Sequence, residues 1–113
     1  MRGLVLVLAL AACGETPDVS AQSVTRAAAA APANARLAQL YDGSCKTCHA
    51  VADSGAPLTN DRAAWDARWT KGMDTLVEHT ISGFNGMPAG GQCFTCTPED
   101  YRALIAFMAG REG

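Results

Sequence analysis

Basic clusters are missing from this chain. Its nine Lys and Arg are scattered among eleven Asp and Glu, for a net charge of −2. That balance makes nucleic acid a poor partner. It is also too slight to select a strongly charged protein surface. Aromatic residues are few, with three Phe, two Trp and two Tyr. β-Branched residues are sparse, which argues against strands and for helices. The apolar run from Leu4 to Ala12 falls short of the roughly 20 residues that a membrane-spanning helix needs. Histidine occurs twice, at His49 and His79.

Cysteine, by contrast, is plentiful: five in 113 residues. That is high for a protein kept in a reducing compartment, and an odd number needs an explanation. The N-terminus supplies part of it. A positive charge at Arg2 precedes the apolar run, as in the core of a secretory signal peptide over residues 1–12. The run ends in "LAAC", which resembles a bacterial lipoprotein cleavage box. By that resemblance Cys13 becomes the lipid-bearing N-terminus. The residue after it is Gly14 rather than the aspartate associated with inner-membrane retention. This favours the outer membrane of a Gram-negative cell.

Residues 14–33 are rich in Ala, Ser, Thr and Pro and hold no aromatic. They lack the bulk for a core and read as a flexible linker after Cys13, spanning roughly 25 Å. The run Ala27–Ala31 is the part most suited to helix. The folded unit is then 34–113. Eighty residues are close to the limit for an apolar core alone, so a staple or cofactor is expected.

Four helices can be read there. Asn34 caps a helix to Asp42, with Leu37, Tyr41 and Cys45 on one face. Asn60 caps a second, from Asp61 to Lys71, which carries Trp65 and Trp69 and stops at Gly72. A third runs from Met73 to Ser82, with Leu76, Val77, Thr80 and Ile81 inward and Gly83 as stop. Thr97–Pro98–Glu99–Asp100 opens the fourth with a cap, a first-turn proline and acids. Tyr101, Leu104, Ile105 and Met108 form its stripe. "GFNGMPAGGQCFTC" between the last two has too much Gly and Pro for regular structure.

The chemistry centres on "CKTCH". Cys45, Cys48 and His49 stand at i, i+3 and i+4, so one helical turn brings two sulfurs and an imidazole to one edge. C-x-x-C-H is the attachment signature of c-type haem: the thiols bond its two vinyl groups and the histidine reaches the iron. Two other uses of the cysteines compete. A thioredoxin-like CxxC expects a βαβ setting, and no strand is read here. A four-cysteine zinc site would join Cys45 and Cys48 to Cys93 and Cys96. It would leave His49 and the Met87 loop without a role. The sixth iron position is assigned to Met87 in "NGMPAGG", a soft thioether in a glycine-rich loop. Met73 and Met108 are the alternatives, both on helices and read as core. His79 reads as a surface histidine.

"CKTCH", "GAPLTN", "AAWDAR", "GFNGMPAGG" and "CFTCTPED" occur in this order. Together they resemble the class I c-type cytochromes, in particular the short bacterial cytochrome c5 group, over 34–113. The resemblance implies an all-α fold around one covalently bound haem, with the first and last helices crossing. It implies thioethers at Cys45 and Cys48, axial ligands His49 and Met87, and a disulfide between Cys93 and Cys96. It also points to the Pro57 carbonyl as acceptor for the ligand histidine. Trp65 and Arg68 are placed either at the haem propionates or, respectively, as core indole and solvated charge. The expected function is single-electron transfer between redox proteins on the periplasmic side, with a lipid anchor and no enzymatic activity. A peroxidase-like haem enzyme whose Met87 leaves the iron is the alternative.

Overall fold

Caps and glycines decide where the helices start and stop. In the computed structural model, which describes residues 20–111, the elements are α1 (Ala21–Ala29), α2 (Ala35–Asp42), α3 (Lys46–His49), α4 (Arg62–Trp69), α5 (Met73–Ser82) and α6 (Pro98–Met108). No strand occurs among the described residues; Phe84 and Met87 form an isolated antiparallel bridge. The Asn34 side chain accepts from the Leu37 amide at 3.0 Å and starts α2. Thr97 and Asp100 form a reciprocal capping box that starts α6, with Pro98 at the first position. Gly72 and Gly83, at φ 88° and 89°, flank α5.

Three readings of the elements need correction. The cap of α4 is Asp61, whose Oδ1 accepts from the Ala64 amide at 3.3 Å. Asn60 instead sits at φ 69° and donates its N–H to the Met108 carbonyl at 2.8 Å, tying the start of α4 to the end of α6. Ile81, expected inward, is 43% exposed, because α5 turns only Leu76 and Val77 fully into the core. The third concerns the linker. Its second half is α1, capped by Ser20 and ending in three alanines, the best helix former. Ala27 is fully buried against Ala50 and Leu58, with Val24 alongside. Its methyl side chain lets the helix lie close over the residue that follows His49. The stretch 21–29 is therefore part of the packed structure. Cys13 and the segment 1–12 lie outside the described residues.

The main core joins α2, α4, α5 and α6 through Tyr41, Trp65, Leu76, Val77, Leu104, Ile105 and Phe107. α2 packs directly on α6. Tyr41 meets Phe107 edge to face at 5.0 Å between ring centres, a contact that adds about 0.5–1.5 kcal/mol beyond burial. The Tyr41 hydroxyl is hydrogen-bonded to Thr59 at 2.9 Å, so this deeply buried phenol leaves no unmatched group. At the exposed side of the same junction, Arg36 grips Asp100 with two N–H···O bonds of 2.8 Å. These contacts hold the first and last helices of the 34–113 unit together beside the cavity described next.

Candidate haem site

The turn Cys45–His49 is helical because His49 N–H donates to the Cys45 carbonyl at 2.9 Å and Cys48 N–H does so at 3.2 Å. This brings Cys45, Cys48 and His49 to the wall of a cavity of ≈ 270 Å³. Met87 lies on the same wall system, with the apolar chains of Leu76, Leu104 and Ile105 between the elements. Pro57, Trp65 and Arg68 also border it. The site residues read from the sequence within 34–113 thus converge on one cavity, apart from the cysteine pair 93 and 96.

His49 is 8% exposed. Its Nδ1 lies 2.7 Å from the Pro57 carbonyl oxygen. A carbonyl only accepts, so Nδ1 carries the proton and Nε2 keeps a free lone pair. Burial is the main influence that lowers the imidazole pKa; the Pro57 bond opposes it and Arg68 adds to it. The ring is therefore neutral, as a metal ligand must be. The carbonyl also fixes its orientation, as outer partners of ligand histidines do. Thr59 N–H donates to the His49 carbonyl at 2.8 Å, which locks the following loop onto the same turn.

Trp65 stacks on His49 with 5.7 Å between ring centres and 27° between planes. Its indole N–H donates to the Leu58 carbonyl at 2.9 Å, so that donor is already used. Arg68 sends one N–H to the Ala64 carbonyl at 2.6 Å, with its other donors left over. Of the two propionate candidates, Trp65 serves as core wall and Arg68 retains the capacity to bind an anion.

Cys45 and Cys48 form no disulfide with each other. Burial pushes the Cys45 pKa up, more than the Ser44 hydroxyl at 3.5 Å pulls it down. A thiol-exchange centre requires the opposite shift. Cys93 and Cys96 are joined as a disulfide with Cα atoms 5.4 Å apart. They are thus bonded to each other and not available as zinc ligands, which removes the four-cysteine site.

The Met87 loop is held by its backbone. Phe84 and Met87 exchange N–H···O bonds of 3.0 and 2.9 Å across Asn85 and Gly86. A Cβ at Gly83 would lie 3.1 Å from the Ala89 amide and 3.2 Å from the Met87 carbonyl, so glycine is required there. Met108 borders the cavity too and Met73 does not; both pack with the core cluster. His79 departs from the surface reading. It is half-buried at the cavity rim and stacked on Phe84 at 4.1 Å and 6°. Lys71 lies 4.7 Å from the centre of the same ring. Spacing alone could not show this, because Phe84 belongs to the loop.

Two adjacent thiols, a neutral oriented imidazole and a thioether around one largely apolar cavity fit a haem bound through two thioethers. Fold and site together define a class I c-type cytochrome, a small helical carrier of single electrons. Residues 32–108 match the sequence model of the family described as "Cytochrome C oxidase, cbb3-type, subunit III", and the chain belongs to that family. It is 41% identical over 75 residues to cytochrome c-555 of Chlorobaculum tepidum, covering 63% of this chain and 69% of that one. It is 37% identical over 86 residues to cytochrome c5 of Ectopseudomonas mendocina, covering 74% and 99%. A solved structure titled "Crystal structure of electron transfer complex of nitrite reductase with cytochrome c" superposes with TM-score 0.60 and 28% identity, covering 69% of this chain and 95% of that one. The cofactor is one covalently bound haem c, with its motif at Cys45, Cys48 and His49.

Proposed function

We propose that this chain shuttles single electrons between protein partners on the periplasmic side, with its haem iron held by His49 and Met87. The observation that carries the ligand assignment is the Nδ1–Pro57 bond of 2.7 Å. It leaves Nε2 free on the cavity that Met87 also borders. The haem supplies the ferric/ferrous couple. Cys45 and Cys48 would fix it to the chain, and His49 and Met87 would ligate its iron within the largely apolar cavity. Iron held by both residues would leave no place for a substrate, which favours transfer through the surface over catalysis. The solved relative seen with a nitrite reductase supports a protein as partner. The box "LAAC" supports a lipid anchor at Cys13.

Carbon monoxide separates carrier from enzyme. The reduced protein at neutral pH is expected to leave its visible spectrum unchanged under the gas. Prompt formation of a carbonyl complex would instead establish a displaceable Met87 and the haem-enzyme reading.

A further inference from the structure

By spacing alone, Tyr101 is one more apolar residue on the stripe of α6. Its surroundings give it a second role. The side chain is 7% exposed. Its hydroxyl lies 3.0 Å from the Gly90 carbonyl oxygen and 2.9 Å from that of Cys93, as a donor shared between two acceptors. Both carbonyls belong to the segment that follows Met87. Within it, Gly91 N–H donates to the Pro88 carbonyl at 3.0 Å and Cys93 N–H to the Gly90 carbonyl at 2.9 Å. Gly90 stands at φ 75°, a left-handed conformation that glycine adopts without strain. Burial raises the phenol pKa, so the proton that makes it a donor is retained.

The loop is fastened on one side of Met87 by the Phe84 pairing. On the other side the segment packs on α5, and the Cys93–Cys96 bond and the Tyr101 hydroxyl fasten it further. The disulfide closes a ring within its own segment, and Tyr101 ties that segment to α6. We propose that Tyr101 is a positioning residue for Met87: its buried hydroxyl anchors the loop that carries the thioether to the last helix, without contact with the iron. This rests on Met87 being the sixth ligand.

The test uses the haem-loaded full chain and its Tyr101→Phe variant, which removes one oxygen and keeps the ring. Imidazole competes with the thioether for ferric iron, so its affinity reports how firmly the loop holds the sulfur. A neutral hydrogen bond lost from the loop corresponds to an affinity gain on the order of fivefold. Amide hydrogen exchange at Gly91 and Cys93 is expected to quicken, while amides in the middle of α6 keep their rates. Unchanged imidazole affinity and unchanged loop exchange would make Tyr101 core only and overturn the proposal. Met87→Ala is the control that separates the two claims. If it keeps the sulfur-to-iron charge-transfer band, the ligand is another residue and both claims fall. If it loses the band while Tyr101→Phe binds imidazole as the unmutated chain does, the Tyr101 proposal alone fails.

Discussion

At His49 a single hydrogen bond decides which nitrogen is free, and Met87, the second ligand proposed, is a soft thioether on the same cavity. A neutral sulfur donor favours ferrous iron, so His/Met ligation raises the potential. Met87→Ala is therefore expected to abolish the sulfur-to-iron band, open the iron to carbon monoxide and lower the reduction potential. Visible spectra and a redox titration check all three. Met108 also borders the cavity, which makes Met108→Leu the proper companion. As a volume-conserving core exchange it should cost less than about 1.5 kcal/mol and leave the band intact. "CKTCH" was legible because five consecutive residues on one turn carry the whole donor set except the thioether. The Pro57 partner came only through resemblance, since any carbonyl of the loop satisfies an N–H equally well on paper. The use of the Trp65 indole by Leu58 and of the Tyr101 hydroxyl by two loop carbonyls was not legible. Side-chain bonds to distant backbone leave no mark in residue type.

Between elements, Asp100 has two tasks: it closes the capping box of α6 and it receives Arg36 of α2. The Arg36 hydrogen bonds are the largest influence, followed by the Thr97 N–H, and they hold the Asp100 carboxyl well below the usual carboxylate range. A carboxylate depressed by folding stabilises the folded state above its unfolded pKa of about 3.9. That contribution disappears as pH falls toward the folded value. Asp100→Asn should consequently be less stable than the unmutated chain at pH 7. The gap in thermal midpoint should narrow as pH falls below about 4. Thr97→Ala removes the reciprocal half of the box and is expected to cost about 1 kcal/mol at pH 7, measured by denaturant unfolding. The caps of α2 and α6 were legible because they use local chemistry. α1 was legible only in its alanine run, because its apolar face is made of small side chains, with Val24 beside Ala27, too slight to read as core. The expected Asn60 cap lost to Asp61 once Asn60 took a left-handed turn and paired with Met108, a partner 48 residues away (108 − 60).

For the molecule as a whole, the cavity lies where a larger protein would place core side chains. Cys45, Cys48 and His49 hold the cofactor that replaces them. The double change Cys45→Ala with Cys48→Ala should therefore leave the unit 34–113 largely unfolded, read by far-UV circular dichroism after export. Eighty residues with an unfilled centre bury too little apolar surface to offset chain entropy. If Cys13 carries the proposed lipid, Cys13→Ser should move the protein from the membrane to the soluble periplasmic fraction with an unchanged haem spectrum. If the anchor is at Cys13, α1 changes what that anchor does. A free tail of twenty residues would let the domain roam. With Ala27 seated on Ala50 and Leu58, only residues 14–20 separate Cys13 from the packed body. Eight Cα steps have a typical span of roughly 15 Å, against roughly 25 Å for the twenty-residue tail. The carrier would then patrol a thin layer over the lipid. Electrons would pass sideways between neighbours on the same sheet of membrane more readily than across the periplasmic gap.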